Sequence, residues 1–366
     1  MKVKAAIARE DHKRFLIEEL ELSEPGPGDI LVRMVGAGLC HTDVKALVGM
    51  MRVPKPIVLG HEGAGVVEWV GSRVTKVKPG DPVVLTYDCC GACSACTSGN
   101  PAYCQETSAL NFQDARQNEP GFLRKEDELI HGHFFGQSSF STYAITRPQN
   151  TIPVPRDAPL DILGVLGCSV QTGAGAIMNS LAAKPGESVA VFGVGPVGLS
   201  AVLAAVACGV REIVAVDLFE SRLAIAKRIG ATRTVQAGPG VDAADQIHRL
   251  IPGGVACALD TTGNAESYHQ ALRSLATKGR FGFVTAPRDP FEPNLVQMML
   301  GGHTFRGIVQ GDSVPDAFIP RLIDLYRRGR FPFDQLVTKY PFDQINQAVE
   351  DQASGTVVKP VFTFPS

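Results

Sequence analysis

The sequence predicts an α/β protein in two parts, a mainly-β part near the N-terminus and a doubly wound parallel sheet in the second half. Residues 1 to about 150 combine Gly, Pro and Val with short apolar runs between turn residues, a pattern typical of β-strands. From about residue 165, short apolar runs alternate with segments of helical period. That alternation indicates βαβ units, and therefore parallel strands covered by helices.

In the first part, three apolar runs predict strands: DILVRMVGAGLC (29–40), GAGVVEWVGSRV (63–74) and GDPVVLTYD (80–88). The segment QDARQNEPGFLRKEDELIHG (113–132) is rich in charged residues, and we interpret it as a long loop. The β-rich part is therefore expected to consist of short strands with at least one long connection.

In the second part, three segments each join a short apolar strand to a helix: 187–209, 211–231 and 253–279. GRFGFVTAP (279–287) predicts a further strand. Beyond residue 311 the pattern changes to a helix, AFIPRLIDLYRRG (317–329), and a last strand, VKPVFTF (358–364). The change of pattern sets the residues from about 311 onward apart from the βαβ region.

Composition narrows the class of protein. The 366 residues have a net charge of −2 and are 45% apolar, as in an ordinary soluble enzyme. The charged N-terminus lacks the apolar run of a signal peptide, and no later stretch has the ~18 uninterrupted apolar residues of a membrane span. Nine cysteines are an odd number, which disfavours a framework built of disulfides alone. We therefore expect a cytoplasmic protein that binds neither membrane nor nucleic acid.

A glycine pattern predicts a dinucleotide site. Gly193, Gly195 and Gly198 have G-x-G-x-x-G spacing between an apolar strand and a helix. Asp217 ends the next strand about twenty residues later, where a carboxylate hydrogen-bonds the ribose of NAD and repels the 2′-phosphate of NADP. Arg222 could partly offset that repulsion. The alternative, a glycine-rich packing turn followed by a surface Asp, does not explain why strand, glycines, helix and acid are all in register.

The stretch CCGACSACTSGNPAYC (89–104) predicts a metal site. Its spacing C-x2-C-x2-C-x7-C suits four thiolates around one structural zinc ion, with the ligands Cys90, Cys93, Cys96 and Cys104. An iron–sulfur cluster is the rival, but its motif has the next Cys sooner and a Pro after it. Cys89 is left over, and a register in which it replaces Cys90 is the less favoured one.

Three further segments predict a second metal site: GLCHTD with Cys40, GHEGAGVVEWVG with His61 and Glu62, and LGCSVQTGAGA with Cys168. Each alone is compatible with a buried apolar Cys or a structural His. Two Cys and one His together form the ligand set of a zinc site that keeps its fourth position open. Spacing alone does not show that these residues converge.

With these motifs, the chain resembles zinc-dependent medium-chain alcohol dehydrogenases over essentially its full length. GHEGAGVVEWVG fits the G-H-E-x2-G-x5-G signature, and the four-cysteine loop, Cys-x-Thr-Asp and the glycine turn follow in the family's order. LGCSVQTGAGAIMNSL, FFGQSSFSTYA, GRFPFDQLV and FDQINQA resemble NAD-dependent aryl-alcohol (benzyl alcohol) dehydrogenases and their geraniol-oxidising relatives. The resemblance implies a GroES-like catalytic domain (1–168 and 311–366) with both zinc sites, and a Rossmann NAD-binding domain (169–310).

The resemblance also implies roles around the open zinc site. Cys40, His61 and Cys168 would bind the catalytic zinc ion, and Glu62 would coordinate it transiently during ligand exchange. Asp43 would fix the tautomer of His61. These residues would hold the ion that activates the alcohol.

A proton relay is implied as well. Thr42 would hydrogen-bond the substrate oxygen and start the relay that carries the proton of the alcohol to the ribose of NAD. Many relatives have a His five residues after the first zinc Cys, and this chain has Lys45 there. The group that ends the relay is therefore open: Lys45, solvent or another group.

The remaining carried-over residues concern cofactor and substrate. Lys359 would contact the pyrophosphate, and His41 would contact the cofactor. Phe134 and Phe135 are expected to form an aromatic wall of the substrate pocket. The residues packing against the nicotinamide would be Thr172, Val197 and Val284.

We therefore expect an NAD-dependent dehydrogenase, a homo-oligomer, that converts primary aromatic or allylic alcohols to aldehydes with two zinc ions per chain. A formaldehyde-type enzyme acting on a glutathione adduct would need a cationic pocket mouth, whereas this chain offers Phe134 and Phe135. A zinc-ribbon nucleic-acid binder would place Lys or Arg around the cysteines, and residues 88–105 contain neither. A catalytically silent relative would lack zinc ligands. The alcohol itself, the physiological direction and the choice of dimer or tetramer stay open.

Overall fold

A computed structural model describes residues 1–114, 116, 122–287 and 289–365 of the chain. Its strands are β1 (Lys2–Ala8), β2 (Leu16–Leu22), β3 (Ile30–Gly38), β4 (Ile57–Val58), β5 (Gly63–Val70), β6 (Pro82–Leu85), β7 (Leu123–Lys125), β8 (Glu128–Ile130), β9 (Tyr143–Thr146), β10 (Thr151–Pro153), β11 (Ser188–Phe192), β12 (Glu212–Asp217), β13 (Arg233–Gln236), β14 (Val255–Asp260), β15 (Leu275–Phe283), β16 (Thr304–Gly307), β17 (Val337–Pro341) and β18 (Lys359–Thr363). Its α-helices are α1 (His41–Leu47), α2 (Ser94–Thr97), α3 (Thr107–Phe112), α4 (Leu160–Leu163), α5 (Ser169–Gly175), α6 (Pro196–Ala207), α7 (Glu220–Arg228), α8 (Ala243–Leu250), α9 (Ala265–Arg273), α10 (Leu295–Gly301), α11 (Pro315–Arg327) and α12 (Ile345–Ser354).

The first structural unit is built on two sheets. It comprises Met1–Cys168, Val314–Ile323 and Asp334–Ser366. One sheet has the strand order β4-β1-β2-β7-β8, and the other has β10-β6-β5-β3-β18-β17, with β9 also pairing β3. The three predicted strand runs are confirmed as β3, β5 and β6, because their apolar residues fill the core of this unit.

The second unit contains one six-stranded parallel sheet. It comprises Ser169–Ser313 and Asp324–Phe333, and its strand order is β13-β12-β11-β14-β15-β16. Numbered along the chain this is 3-2-1-4-5-6, the order of a doubly wound dinucleotide-binding sheet. The strands β11, β12 and β14 are buried along almost their whole length, as near-continuous apolar runs predict for a parallel sheet.

The predicted charged loop contains a β-hairpin. Strands β7 and β8 pair antiparallel across a turn in which Glu126 has φ +53°. Leu123 and Ile130 are buried, while the charged side chains between them lie in water at the edge of the sheet. A short edge hairpin of this kind has too little apolar alternation for its strands to be recognised. Residues 115 and 117–121 of that predicted loop lie outside the described residues.

The predicted domain ranges differ from the structural units mainly in residues 324–333. These residues were expected in the catalytic domain with the rest of 311–366, yet they group with the second unit. One reason is visible in a hydrogen bond, since Arg330 Nη2 donates to the carbonyl of Ala207 at 2.9 Å.

In the described residues no single helix is both long and apolar enough to cross a membrane. The helical segments 160–167 and 169–180 reach that length and apolar content only when they are added together across a bend.

Candidate active site and metal centres

Two antiparallel strands bring Cys40 and His61 together. Strand β3 ends just before Cys40, and β5 begins just after His61 and Glu62. The strands pair with Ala37 opposite Gly63, so their ends lie side by side. The pairing of β3 with β5 therefore places three of the predicted site residues together at one end of these two strands.

Cys168 reaches the same place through a close backbone contact. It follows a 3-10 turn, Gly164–Gly167, and the Thr86 hydroxyl donates to the carbonyl of Gly167 at 2.8 Å. A Cβ atom at Gly167 would lie only 2.0 Å from the carbonyl oxygen of Leu85, so no larger residue fits here. The metal-ligating atoms of Cys40, His61, Glu62 and Cys168 all lie within 4.8 Å of one another.

Asp43 fixes the geometry of this group. One carboxylate oxygen lies 2.9 Å from His61 Nδ1 and accepts the Gly60 N–H at 3.1 Å, while the other accepts the Cys40 N–H at 3.0 Å. The Nδ1 contact turns the other ring nitrogen, Nε2, towards the cysteines. Nε2 is buried and has no hydrogen-bond partner among the described residues.

The ionisation of the group fits a bound cation. The hydrogen bond from Cys168 lowers the pKa of Cys40 well below its ordinary value and raises that of Cys168. Burial opposes the charged form of His61, but the negative charges of Asp43 and Cys40 outweigh it and raise its pKa. A zinc ion would replace the protons these ligands otherwise share, and two thiolates with an imidazole are donors zinc prefers.

Lys359 lies in this group. Its side chain is 1% exposed, and Nζ lies 2.5 Å from Glu62 Oε2 and donates to the carbonyl of Leu39 at 2.8 Å. Burial lowers the pKa of Lys359, but Glu62 outweighs it and raises the pKa; burial raises the pKa of Glu62 itself. The predicted pyrophosphate contact would require Nζ to share or leave these bonds.

The relay residues lie on α1. Thr42 Oγ1 is 3.7 Å from Cys40 Sγ, next to the ligand group. Lys45 lies in the last turn of α1, and His41 is its exposed first residue. Their roles toward substrate and cofactor stay predictions.

The two predicted pocket phenylalanines lie against His61. The Phe135 ring stacks on the imidazole with a centroid distance of 4.4 Å, and the Phe134 ring meets it edge-on at 5.6 Å. Phe112 of α3 packs against Phe135 at 5.1 Å. Two buried aromatic rings therefore adjoin the candidate metal site.

The four-cysteine loop forms a second compact group. The sulfur atoms of Cys90, Cys93, Cys96 and Cys104 lie within 4.8 Å of one another, and Cys89 lies outside the group. Backbone N–H groups point at the sulfurs, as in the bond from Cys93 N to Cys90 Sγ at 3.2 Å. The N–H of Gln105 lowers the pKa of Cys93 to about 6. Burial raises the pKa values of Cys96 and Cys104, so it is the arrangement of the four sulfur atoms that suits a tetrahedral zinc site without a water ligand.

The second unit carries a glycine cradle at the start of α6. Gly193 has φ +81°, and a Cβ there would lie 2.7 Å from Thr261 Oγ1. A Cβ at Gly198 would lie 2.0 Å from the carbonyl oxygen of Gly193. Gly195 is the N-cap of α6, and a Cβ atom there would have no other atom within 4 Å. Backbone N–H groups therefore face open space at the positive end of the helix. The cradle fits a pyrophosphate.

A cavity of about 450 Å³ continues from this cradle and is lined by Asp217, Phe219 and Arg222 among others. The Asp217 carboxylate accepts the N–H groups of Val194 at 2.8 Å and Phe219 at 3.0 Å, and Arg222 lies 3.8 Å from it. Each oxygen retains a lone pair for a ribose hydroxyl. Beside the cradle lie Val197 on α6 and Thr172 on α5, while Val284 follows β15.

Comparison with known sequences identifies the family. The alcohol dehydrogenase GroES-like domain family matches residues 26–156, and the zinc-binding dehydrogenase family matches residues 196–328. The chain belongs to the zinc-dependent medium-chain alcohol dehydrogenases. The predicted family and its combination of a GroES-like and a Rossmann domain are thereby confirmed.

This alcohol dehydrogenase has relatives along its whole length. It is 41% identical to geraniol dehydrogenase of Castellaniella defragrans over 363 residues, 98% of this chain and 97% of that one. Benzyl alcohol dehydrogenase from Acinetobacter calcoaceticus is 42% identical with a TM-score of 0.96, and both chains are covered completely, 100%. An alcohol dehydrogenase zinc-binding domain protein from Burkholderia ambifaria is 48% identical, again with a TM-score of 0.96 over 100% of both chains.

One residue that braces the site in this alcohol dehydrogenase was missed from the sequence. The amide of Gln137 donates to the carbonyls of His61 and Thr86, each at 3.0 Å, and accepts the Gly63 N–H at 3.0 Å. Gln137 thus ties the ligand-bearing loop to two strands. Its position among apolar and small residues in FFGQSSF was the available signal, since a buried amide must be satisfied by partners.

Proposed function

We propose that this alcohol dehydrogenase oxidises primary aromatic or allylic alcohols of the benzyl alcohol type to aldehydes with NAD. The observation that carries the proposal is the pair of rings, Phe134 and Phe135, that lies directly on His61. The names of two relatives, a benzyl alcohol and a geraniol dehydrogenase, support the same class of substrate, because both alcohols carry a π-system next to the reacting carbon.

Two zinc ions per chain are proposed, one held by Cys40, His61 and Cys168 and one held by the four-cysteine loop. When bound at the first site, zinc supplies Lewis-acid chemistry that lowers the pKa of an alcohol hydroxyl. The loop site has four thiol ligands and no open position, so its contribution is to folding.

The residues around the first zinc site and the glycine cradle have separate roles in the proposed reaction. The Thr42 hydroxyl would accept the proton of an alcohol bound beside Cys40 and donate its own proton to the ribose of the cofactor. Asp43 keeps His61 in the orientation that aims Nε2 at the cysteines. Phe134 and Phe135 orient the ring of the alcohol and exclude water, which strengthens electrostatic interactions around the reacting atoms. The glycine cradle binds the pyrophosphate of the cofactor.

A substrate panel tests the proposal. Oxidation of benzyl alcohol, cinnamyl alcohol, geraniol and ethanol is followed by NADH absorbance, with S-hydroxymethylglutathione as a fifth substrate. Benzyl and allylic alcohols are expected to exceed ethanol in kcat/KM. Geraniol leading the panel would favour a terpene alcohol dehydrogenase, the second candidate given by the geraniol-oxidising relative. Strict dependence on the thiol adduct would refute both.

Cofactor choice is expected to depend on Asp217. Asp217→Ser should raise the KM for NAD about tenfold or more, because the charge-assisted hydrogen bonds from the ribose hydroxyls to the carboxylate are lost. The same change should narrow the gap between NAD and NADP, since the repulsion of a 2′-phosphate disappears. Steady-state kinetics with both cofactors check this, with Asp217→Asn as the variant that removes charge and keeps volume. A wild-type preference for NADP would contradict the proposed role.

The loop site is expected to govern stability. Cys96→Ser should lower Tm by roughly 5 °C or more and remove about one zinc ion per chain, because three ligands hold the metal less tightly than four. Turnover per folded molecule should stay close to wild type. Thermal melting and metal analysis measure both effects, and Cys89→Ser is the control because that thiol is outside the group. A larger effect of Cys89→Ser would show that the register is wrong.

We also propose a homo-oligomer, either a dimer or a tetramer. Strand β16 forms an edge of the parallel sheet and is exposed along its length. Next to it in sequence, α10 exposes Leu295, Val296, Met299 and Leu300. An open sheet edge with apolar residues nearby favours association with a second copy. Sedimentation analysis would distinguish the two assemblies, and a monomer would contradict the proposal.

A cytoplasmic location is proposed on the state of the thiols. None of the nine cysteines, all of which lie in the described residues, forms a disulfide bond with another, which suits a compartment that keeps thiols reduced. Fractionation of cells that produce the protein would test the location.

A further inference from the structure

A cluster of ionisable side chains outside the metal site is centred on Asp114. Its Oδ2 lies 3.0 Å from His131 Nδ1 and accepts the Gly132 N–H at 3.2 Å, and its Oδ1 lies 3.2 Å from His133 Nδ1. Asp114 and His133 are buried, at 4% and 6% exposure. None of the roles proposed above for metal, cofactor or proton relay involves this cluster.

The cluster holds a strained stretch of backbone. Asp114, His133 and Phe135 have φ values of +46°, +58° and +53°, in the left-handed region. This conformation is unfavourable for a residue that has a side chain, and it persists only where its surroundings hold it. The bonds to Asp114 hold one end of the 131–135 segment, and the bond from Gly136 N–H to the carbonyl of His133 at 2.6 Å closes the turn.

The strained 131–135 segment contacts His61, the proposed metal ligand, through the ring of Phe135. Phe134 directly follows His133, and the Phe135 ring stacks on the His61 imidazole at 4.4 Å. From the other side, Phe112 lies two residues before Asp114 and packs against Phe135 at 5.1 Å. Asp114 is therefore connected to Phe135 along two routes, one through His133 and one through Phe112.

The charge states of Asp114 and His133 decide which group donates and which accepts the hydrogen bond. Burial lowers the pKa of His133 more than the hydrogen bond to Asp114 raises it, and the nearby Arg116 cation lowers it further, which favours the neutral imidazole. Burial alone would raise the pKa of Asp114, but the bonds from His133, His131 and Gly132 outweigh it and lower the pKa. A carboxylate thus accepts from a neutral Nδ1–H, and an uncharged acceptor in its place would hold the segment less firmly.

We propose that Asp114 is a positioning residue for substrate selection. By holding the 131–135 segment and Phe112, it keeps the Phe135 ring stacked on His61 and so sets the preference for aromatic over small alcohols. The expected effect on the choice between aromatic and small alcohols rests on the proposed function, whereas the expected position of the Phe135 ring does not.

Asp114→Asn is the decisive variant, because Asn also tolerates left-handed backbone and has nearly the same volume. Its amide cannot accept all three N–H donors, so the crystal structure should show the Phe135 ring displaced from His61. The KM for benzyl alcohol should rise about tenfold with kcat within about twofold, and kcat/KM for ethanol should change less than about twofold. Glu126→Gln is the matched control, an acid-to-amide change at another left-handed residue, exposed in the β7–β8 turn; it should change neither quantity.

A Phe135 ring that stays stacked on His61 in Asp114→Asn would overturn the proposal, and so would equal losses for benzyl alcohol and ethanol. If wild type treats the two alcohols alike, the substrate proposal alone is refuted, and the ring position still decides the role of Asp114. If Asp114→Asn does not fold, His131→Leu takes its place, since His131 is partly exposed and a leucine side chain has no donor for Asp114, so one bond is removed. An unmoved ring and an unchanged KM for benzyl alcohol in that variant would overturn the proposal as well.

Discussion

Cys168→Ser should abolish turnover while leaving the fold intact. Cys168 Sγ belongs to the group whose ligand atoms lie within 4.8 Å of one another, and a serine hydroxyl is a poor substitute for a thiolate on zinc. Loss of the Lewis acid removes several kcal/mol of transition-state stabilisation, so kcat/KM for benzyl alcohol should fall on the order of a thousandfold or more. The side chain keeps its size, so Tm should change little.

Metal analysis separates this variant from a general loss of folding. We expect close to one zinc ion per chain in Cys168→Ser, held by the four-cysteine loop, against two in wild type. Cys208→Ser provides the control, because that thiol caps α6 in the second unit and belongs to neither cysteine group. Activity above about a tenth of wild type in Cys168→Ser, or an unchanged zinc content, would show that the ligand assignment is wrong.

The sequence predicted those parts of the site that local pattern controls. Apolar runs between turn residues predict β3 and β5 themselves, whereas their pairing, which brings Cys40 and His61 to adjacent strand ends, was implied only by the family resemblance. The glycine turn after β11 is also local, because close contact between Gly193 and Gly198 requires both residues within one hexapeptide. Patterns of this length are visible in a sequence, and their geometry follows from backbone sterics.

The contacts that the sequence did not predict join residues far apart in the chain. Lys359 and Glu62 meet because β18 pairs with β3. The family resemblance implied a pyrophosphate contact for Lys359, which stays a prediction, and it did not indicate the pair with Glu62. Asp114 lies in a segment interpreted as a charged loop. The sequence does not distinguish a buried aspartate from an exposed one. Whether a charged side chain is solvated or buried in a pair depends on tertiary packing, which periodicity does not encode.

The substrate preference has the second large expected effect. Benzyl alcohol should exceed ethanol in kcat/KM by about a hundredfold or more, because hydride leaves more easily from a carbon next to a ring and because an aromatic pocket gains free energy from ring burial. Each Å² of ring surface removed from water contributes about 25 cal/mol, and ring–ring contact adds roughly 0.5–1.5 kcal/mol. Ethanol gains neither contribution.

Phe135→Ala should therefore lower kcat/KM for benzyl alcohol about tenfold and that for ethanol less than about threefold, since tenfold corresponds to about 1.4 kcal/mol of lost ring contact. Phe135→Leu is the matched control, because it keeps an apolar side chain on His61 and removes only the aromatic face; its loss for benzyl alcohol should be smaller. Zinc content measured on each variant shows whether His61 still binds metal. Equal losses for both alcohols would mean that Phe135 supports His61 without contacting the substrate, and the aromatic wall would then have to be built by other residues.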